Sequence, residues 1–127
     1  MENGKWKIES EVTMENVIET KSFNFSIRIV NLYNHLKNEK QEFVMSKQML
    51  RCGTSIGANV AEAEQAQSKA DFISKMNIVL KETAETKYWL KLLKATDYLT
   101  DKEFDLILND CIEIEKMLSA IIKSSKA

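Results

Sequence analysis

Apolar side chains recur every three or four residues along most of the chain, which is the period of an α-helix. The clearest run is Phe72, Met76, Val79, Thr83, Leu90 and Leu93, with Ile73, Leu80 and Ala84 beside it. Ser68 precedes this run as an N-cap, and Asp71 sits where an acid is favoured near the positive end of a helix. The pattern predicts a helix over 68–96. A second clear run, Phe104, Ile107, Cys111, Ile114, Leu118 and Ile121, follows Thr100 and Glu103, the strongest capping box in the chain. Leu99 and Phe104 bracket that box as a hydrophobic staple, and a helix over 100–124 is predicted.

Two earlier segments follow the same logic. Asn16 with Glu19 resembles a capped start, and Phe23, Ile27, Val30, Leu32, Tyr33 and Leu36 then follow at helical spacing. This predicts a helix over 16–38, preceded by a flexible acidic arm over 1–15 that includes Trp6 and Ile8. Ser46 is read as the N-cap of a helix over 46–67, with Met45 and Leu50 as its staple. The expected fold is all-α: four helices with short links, forming an antiparallel up-down-up-down bundle.

Composition sharpens this picture. The 127 residues contain no proline and three glycines, which suits helices and leaves little for β-turns. The net charge of −1 gives no global field toward nucleic acid or anionic lipid. Charge is uneven, however: residues 68–96 carry six lysines against three acids, and residues 97–127 carry seven acids against four lysines. No apolar run approaches the roughly 20 residues that span a bilayer. The N-terminus lacks a signal-peptide core, and two distant cysteines suit a reducing interior. A cytoplasmic location is expected.

Two of the three glycines, Gly53 and Gly57, fall inside the predicted second helix, where each costs roughly 1 kcal/mol relative to alanine. A phosphate loop would need G-x-x-x-x-G-K-[S/T] after a strand, and neither is present. A helix-turn-helix corner would place Glu62 and Glu64 against phosphates with no Lys or Arg between Ser55 and Ala66. Helix geometry offers a third reading. Gly53, Gly57 and Ala61 form a ladder of small residues beside Met49, Leu50, Ile56 and Val60, where a second backbone can approach closely. On the other side Arg51, Ser55, Asn59 and Glu62 lie within roughly 80° of one another. That polar ladder is read as a solvated face or as a buried or subunit contact, with Glu82 and Glu85 as acceptors for Arg51.

The run SKQMLRCGTSIGANVAEA (46–63) closely resembles the signature of the four-helix-bundle proteins encoded in 23S ribosomal RNA intervening sequences. DFISKM (71–76), LKETAET (80–86), YWL (88–90) and KSF (21–23) match in order, so the resemblance covers about residues 20–122. It implies a compact bundle that assembles into a ring-like homopentamer. The family includes the accessory variability determinant of diversity-generating retroelements, which binds nucleic acid and partners a reverse transcriptase. That protein is strongly basic, whereas this chain is slightly acidic. By the resemblance, Arg51, Ser55, Asn59, Glu62 and Glu85 are fold or subunit-contact residues.

Catalytic constellations are scarce. His35 is the only histidine, no Glu-x-x-His pair exists, and Ser55 has no base or glycine elbow. Cys52 and Cys111 read as buried hydrophobes. No cofactor, metal or small-molecule substrate is expected, and no membrane partner. Lys87, Lys91 and Lys94 share one side of the third helix, a patch that a ring would multiply into a basic belt. The chain is therefore expected to be a non-catalytic homo-oligomeric scaffold. The alternative is an RNA-binding accessory factor, partnered by RNA or an RNA-handling protein.

Overall fold

The computed structural model describes residues 9–126 as four helices: α1 (Glu9–Asn38), α2 (Met45–Ala63), α3 (Lys69–Ala95) and α4 (Asp101–Lys126). Each helix packs against its sequence neighbours, and α4 closes the ring against α1. The fold is an all-α bundle. Its core is continuous from Ile18, Phe25 and Ile29 of α1 through Met49 and Ile56 of α2 to Phe72, Met76 and Leu90 of α3 and Ile114 and Leu118 of α4.

Helix ends show which local signals act. Thr100 Oγ1 accepts from the Glu103 N–H at 3.1 Å while Glu103 accepts from the Thr100 N–H at 2.8 Å, a complete capping box. Ser68 caps α3 through the Asp71 N–H, and the Asp71 carboxylate reaches back one residue further, to the Gln67 N–H. α3 stops without glycine or proline. Asp97 takes a left-handed φ of 68°, Tyr98 N–H bonds to Leu93 O and Asp97 N–H to Lys94 O. This is a Schellman stop with Asp in the usual glycine position.

Four boundaries or faces differ from the sequence-based expectation. α1 begins at Glu9, so residues 9–15 belong to the bundle helix and the arm is at most residues 1–8, which with Trp6 and Ile8 lie outside the described residues. Glu15 is buried there, and Ile18 packs in the core. α2 ends at Ala63 instead of Gln67, because the chain turns early to bury Ala66. The N-cap of α2 is not Ser46, which lies within the helix and is fully buried. Glu42 does the work from outside: its carboxylate accepts from the N–H groups of Val44, Met45 and Ser46 at 3.2, 3.1 and 2.6 Å. Finally, α1 turns the first half of the stripe expected to be core to the outside, while of its second half Leu36 is buried and Leu32 and Tyr33 pack against the core. Phe23, Ile27 and Val30 are exposed, while Ile18, Phe25, Ile29 and Leu36 are buried. The two stripes interleave on one helix, and the partner helices take the one whose small neighbour Ser22 lets α2 come close.

Burial disfavours the charged form of Glu42, but the three N–H groups outweigh it and hold the carboxyl below its ordinary value of 4.5. A lowered carboxyl contributes stability above the unfolded value that is lost as pH falls through the folded one. Glu42→Ala is expected to cost about 1–2 kcal/mol near pH 7, the scale of a lost cap. The gap from wild type should close as pH drops below 4.5, read from urea midpoints. A pH-independent gap would show that the ionised cap is not the source.

Candidate functional site

The glycine segment of α2 faces α1 on one side and α3 on the other. Toward α1, a Cβ placed on Gly53 would lie 2.9 Å from both Cγ atoms of Ile29. One placed on Gly57 would lie 2.9 Å from Ser26 Oγ and 3.1 Å from the Ser22 carbonyl oxygen. Ala61, the third rung of the small-residue ladder, is exposed and lines a cleft of about 300 Å³ with Phe23 and Gly57. It does not share the tight seam.

Toward α3, Arg51 is the residue that crosses. Its guanidinium pairs with the Glu85 carboxylate, stands 3.9 Å from Glu82, and donates to Gln48 Oε1 at 3.3 Å. Glu85 Oε2 also accepts from the Trp89 indole N–H at 3.1 Å, and Tyr88 meets Trp89 edge-on. The network thus ties Gln48 and Arg51 of α2 to one turn of α3. The rest of the polar ladder stays at home. Ser55 Oγ donates to the Arg51 carbonyl at 2.7 Å, Asn59 donates to the Ser55 carbonyl at 2.8 Å, and Glu62 is exposed. Gln48 was not read from the sequence as part of this cluster, although its position three residues before Arg51 on a helix is the available signal.

The lysines of α3 are divided. Lys87 Nζ lies 2.9 Å from the Glu115 carboxylate, and Lys94 Nζ lies 2.8 Å from Asp101, both acids of α4. Pairing with Asp101 raises the Lys94 pKa above its ordinary value. Lys91 is exposed beside them. The basic stretch of α3 is therefore partly neutralised by the acidic stretch of α4.

Groups with reactive potential are set in structural roles. Both thiols are buried. Burial pushes the Cys111 thiol up to about 12, with Glu115 adding to it, and burial raises Cys52 as well. Neither is a ready thiolate. His35 Nε2 faces Glu103 at 3.7 Å, where α1 meets the start of α4. Among the described residues no group of three His, Cys, Asp or Glu side chains is placed to hold a metal. No helix among them is long and apolar enough to cross a membrane.

A sequence model of the 23S rRNA-intervening sequence protein family matches residues 14–120, from the second turn of α1 almost to the end of α4. The chain belongs to this family. A solved structure from the same structural class supports the assignment: a protein of unknown function from the S23 ribosomal protein family of Bacteroides thetaiotaomicron. The two are 61% identical over 87% of this chain and 98% of that one, with a TM-score of 0.86. No curated protein matches. The match of this 23S rRNA-intervening sequence protein spans both glycines, the Arg51–Glu85 network and the divided lysines alike.

Proposed function

We propose that the chain is a non-catalytic scaffold that works by associating with copies of itself. The observation that carries this reading is where its polar side chains go. Arg51, Glu85 and Trp89 bond to one another across α2 and α3, and Lys87 and Lys94 bond to α4. A catalytic site needs convergent polar groups left over for a substrate. A cleft of about 480 Å³ along α1 holds a single titratable side chain, Lys21, among Thr13, Asn16, Val17, Thr20 and Asn24. The family resemblance adds a homopentamer as the expected assembly.

RNA contact is the second reading, and the exposure of Lys91 and Tyr88 on α3 favours it. The carboxylates on Lys87 and Lys94 count against it, because phosphate affinity comes from cations free to displace counterions. Light scattering of the purified chain, with titration of a structured RNA at about 50 and 200 mM salt, separates the two. The scaffold reading expects an oligomeric mass with no salt-sensitive RNA binding. Binding at low salt that Lys91→Glu abolishes at unchanged mass would replace it with the RNA reading.

A further inference from the structure

α4 is acidic at its start and basic at its end. Residues 101–115 carry six acids and one lysine, whereas residues 116–127 carry three lysines and no acid. The stretch of α3 beside that basic end, residues 72–81, adds two lysines and again no acid. Among the described residues, Lys75 is the one of these five lysines that pairs with an acid, Asp71. Lys81, Lys116, Lys123 and Lys126 are exposed. The acids that flank these stretches are already engaged: Glu115 holds Lys87, Glu113 holds Lys21, and Glu82 faces Arg51 on the α2 side. Between the two helices lies a groove of about 360 Å³, lined by Asn77, Leu80, Ser119, Ile122, Lys123 and Lys126. Its floor is apolar, because Leu80 and Ile122 belong to the outer edge of the core. Two turns further along both helices, the Lys87–Glu115 pair bridges them.

We infer that this groove docks an acidic amphipathic helix of a partner protein, with its apolar stripe on Leu80 and Ile122 and its carboxylates on Lys123 and Lys126. The inference goes beyond self-association and does not require it: it names what a scaffold of this kind would hold. Shape selects a helix. A trough between two packed helices receives the ridge of a third, laid along it by its apolar face. Length sets the size. From Asn77 to the Lys87 bridge the groove runs about 15 Å, or three turns, so the contact belongs to the small, transient class. Charge selects the acidic kind. The unpaired ammonium groups stand at the groove's edge, where carboxylates on the flank of the docked helix meet them without either being buried unpaired. A basic helix would be repelled there. A nucleic-acid strand would bring the right charge but no apolar stripe for Leu80 and Ile122, and no aromatic ring lines the groove on which a base could stack.

The test uses the full chain and a synthetic three-turn peptide, stapled on its outer side so that it is helical before it binds, with leucines along one face and glutamates on its flanks. A second stapled peptide of the same composition scatters the leucines around the helix. Fluorescence anisotropy at about 50 mM salt should show the first peptide binding roughly tenfold more tightly than the second. Lys123→Glu/Lys126→Glu should weaken that binding roughly tenfold. Lys40→Glu/Lys47→Glu makes the same charge change on exposed lysines at the other end of the bundle and should leave it within about twofold. Circular dichroism checks that both variants are as helical as wild type. Equal binding of the two peptides, or equal loss in the two double variants, would reduce the contact to unspecific attraction and overturn the inference. So would no binding at peptide concentrations up to about 1 mM. A structured RNA held more tightly than the peptide, and released by Lys123→Glu/Lys126→Glu, would assign the groove to nucleic acid instead. Wild type alone supplies an independent reading. Backbone amide NMR shifts on adding the first peptide should cluster at Asn77, Leu80, Ser119 and Ile122, and shifts centred elsewhere would overturn the assignment.

Discussion

Gly57→Leu is expected to lower the melting temperature by about 10 °C or more, through an overpacking cost of about 3 kcal/mol at the α1–α2 seam. The added side chain meets obstacles from its first carbon. A Cβ there would stand 2.9 Å from Ser26 Oγ and 3.1 Å from the Ser22 carbonyl oxygen. Ser26 Oγ itself donates to that carbonyl at 3.1 Å, so the two obstacles are locked together, and one is backbone. Ser26 Oγ can rotate away only by giving up that bond, the Ser22 carbonyl is backbone, and a side chain as large as Leu therefore requires α1 to move. Against this, any side chain gains up to about 1 kcal/mol of helix propensity over glycine. Gly57→Ala therefore sets the two effects nearly in balance, whereas Leu adds volume with no further gain in propensity. Thermal unfolding followed by circular dichroism reads both. A Gly57→Leu protein that melts with wild type would remove close helix approach as the reason for the glycine.

That seam is also where the sequence was hardest to read. α3 and α4 were legible because cap, staple and apolar stripe agree on the same residues. Ser68 with Phe72 and Thr100 with Ile107 leave no competing choice of face. α1 carries two stripes two residues out of phase, Phe23–Ile27–Val30 and Phe25–Ile29. Periodicity in one chain cannot say which of them finds partner helices within that chain. The stripe left outside is itself informative, since an apolar run on a helix normally meets something. At α2, Ser46 has the residue type of a cap but sits inside the helix. The capping carboxylate of Glu42 comes from a turn whose path depends on Gln41 taking a φ of 54°, which its residue type does not announce. Of the polar cluster, Arg51 with Glu82 and Glu85 was legible from opposite charges on neighbouring helices. The lysines were not, because Lys87–Glu115 and Lys94–Asp101 depend on the register of α3 against α4.

Ile29→Ala should be strongly destabilising, and its cost should shrink when Gly53 is changed with it. Ile29 is fully buried, and removing its three outer carbons costs about 2–5 kcal/mol, the upper end applying if α1 and α2 cannot close the gap. Gly53→Ala alone has the opposite fault. Its Cβ would meet Cγ1 and Cγ2 of Ile29 at 2.9 Å and Cδ1 at 3.1 Å. Cγ1 and Cγ2 both branch from Cβ and Cδ1 follows Cγ1, so this β-branched side chain is stiff at χ1 and resists turning away. An overpacking cost of about 1–3 kcal/mol then exceeds the propensity gain of about 1 kcal/mol. In the double variant the alanine at 53 meets the space vacated at 29. The clash disappears, the propensity gain remains, and part of the cavity is filled. The cost of the pair should therefore fall short of the summed single costs by about 1–3 kcal/mol, a coupling measurable from urea unfolding of the four proteins. Additive costs would mean that Gly53 and Ile29 act independently, and that the small residue at 53 serves something other than the passage of α1.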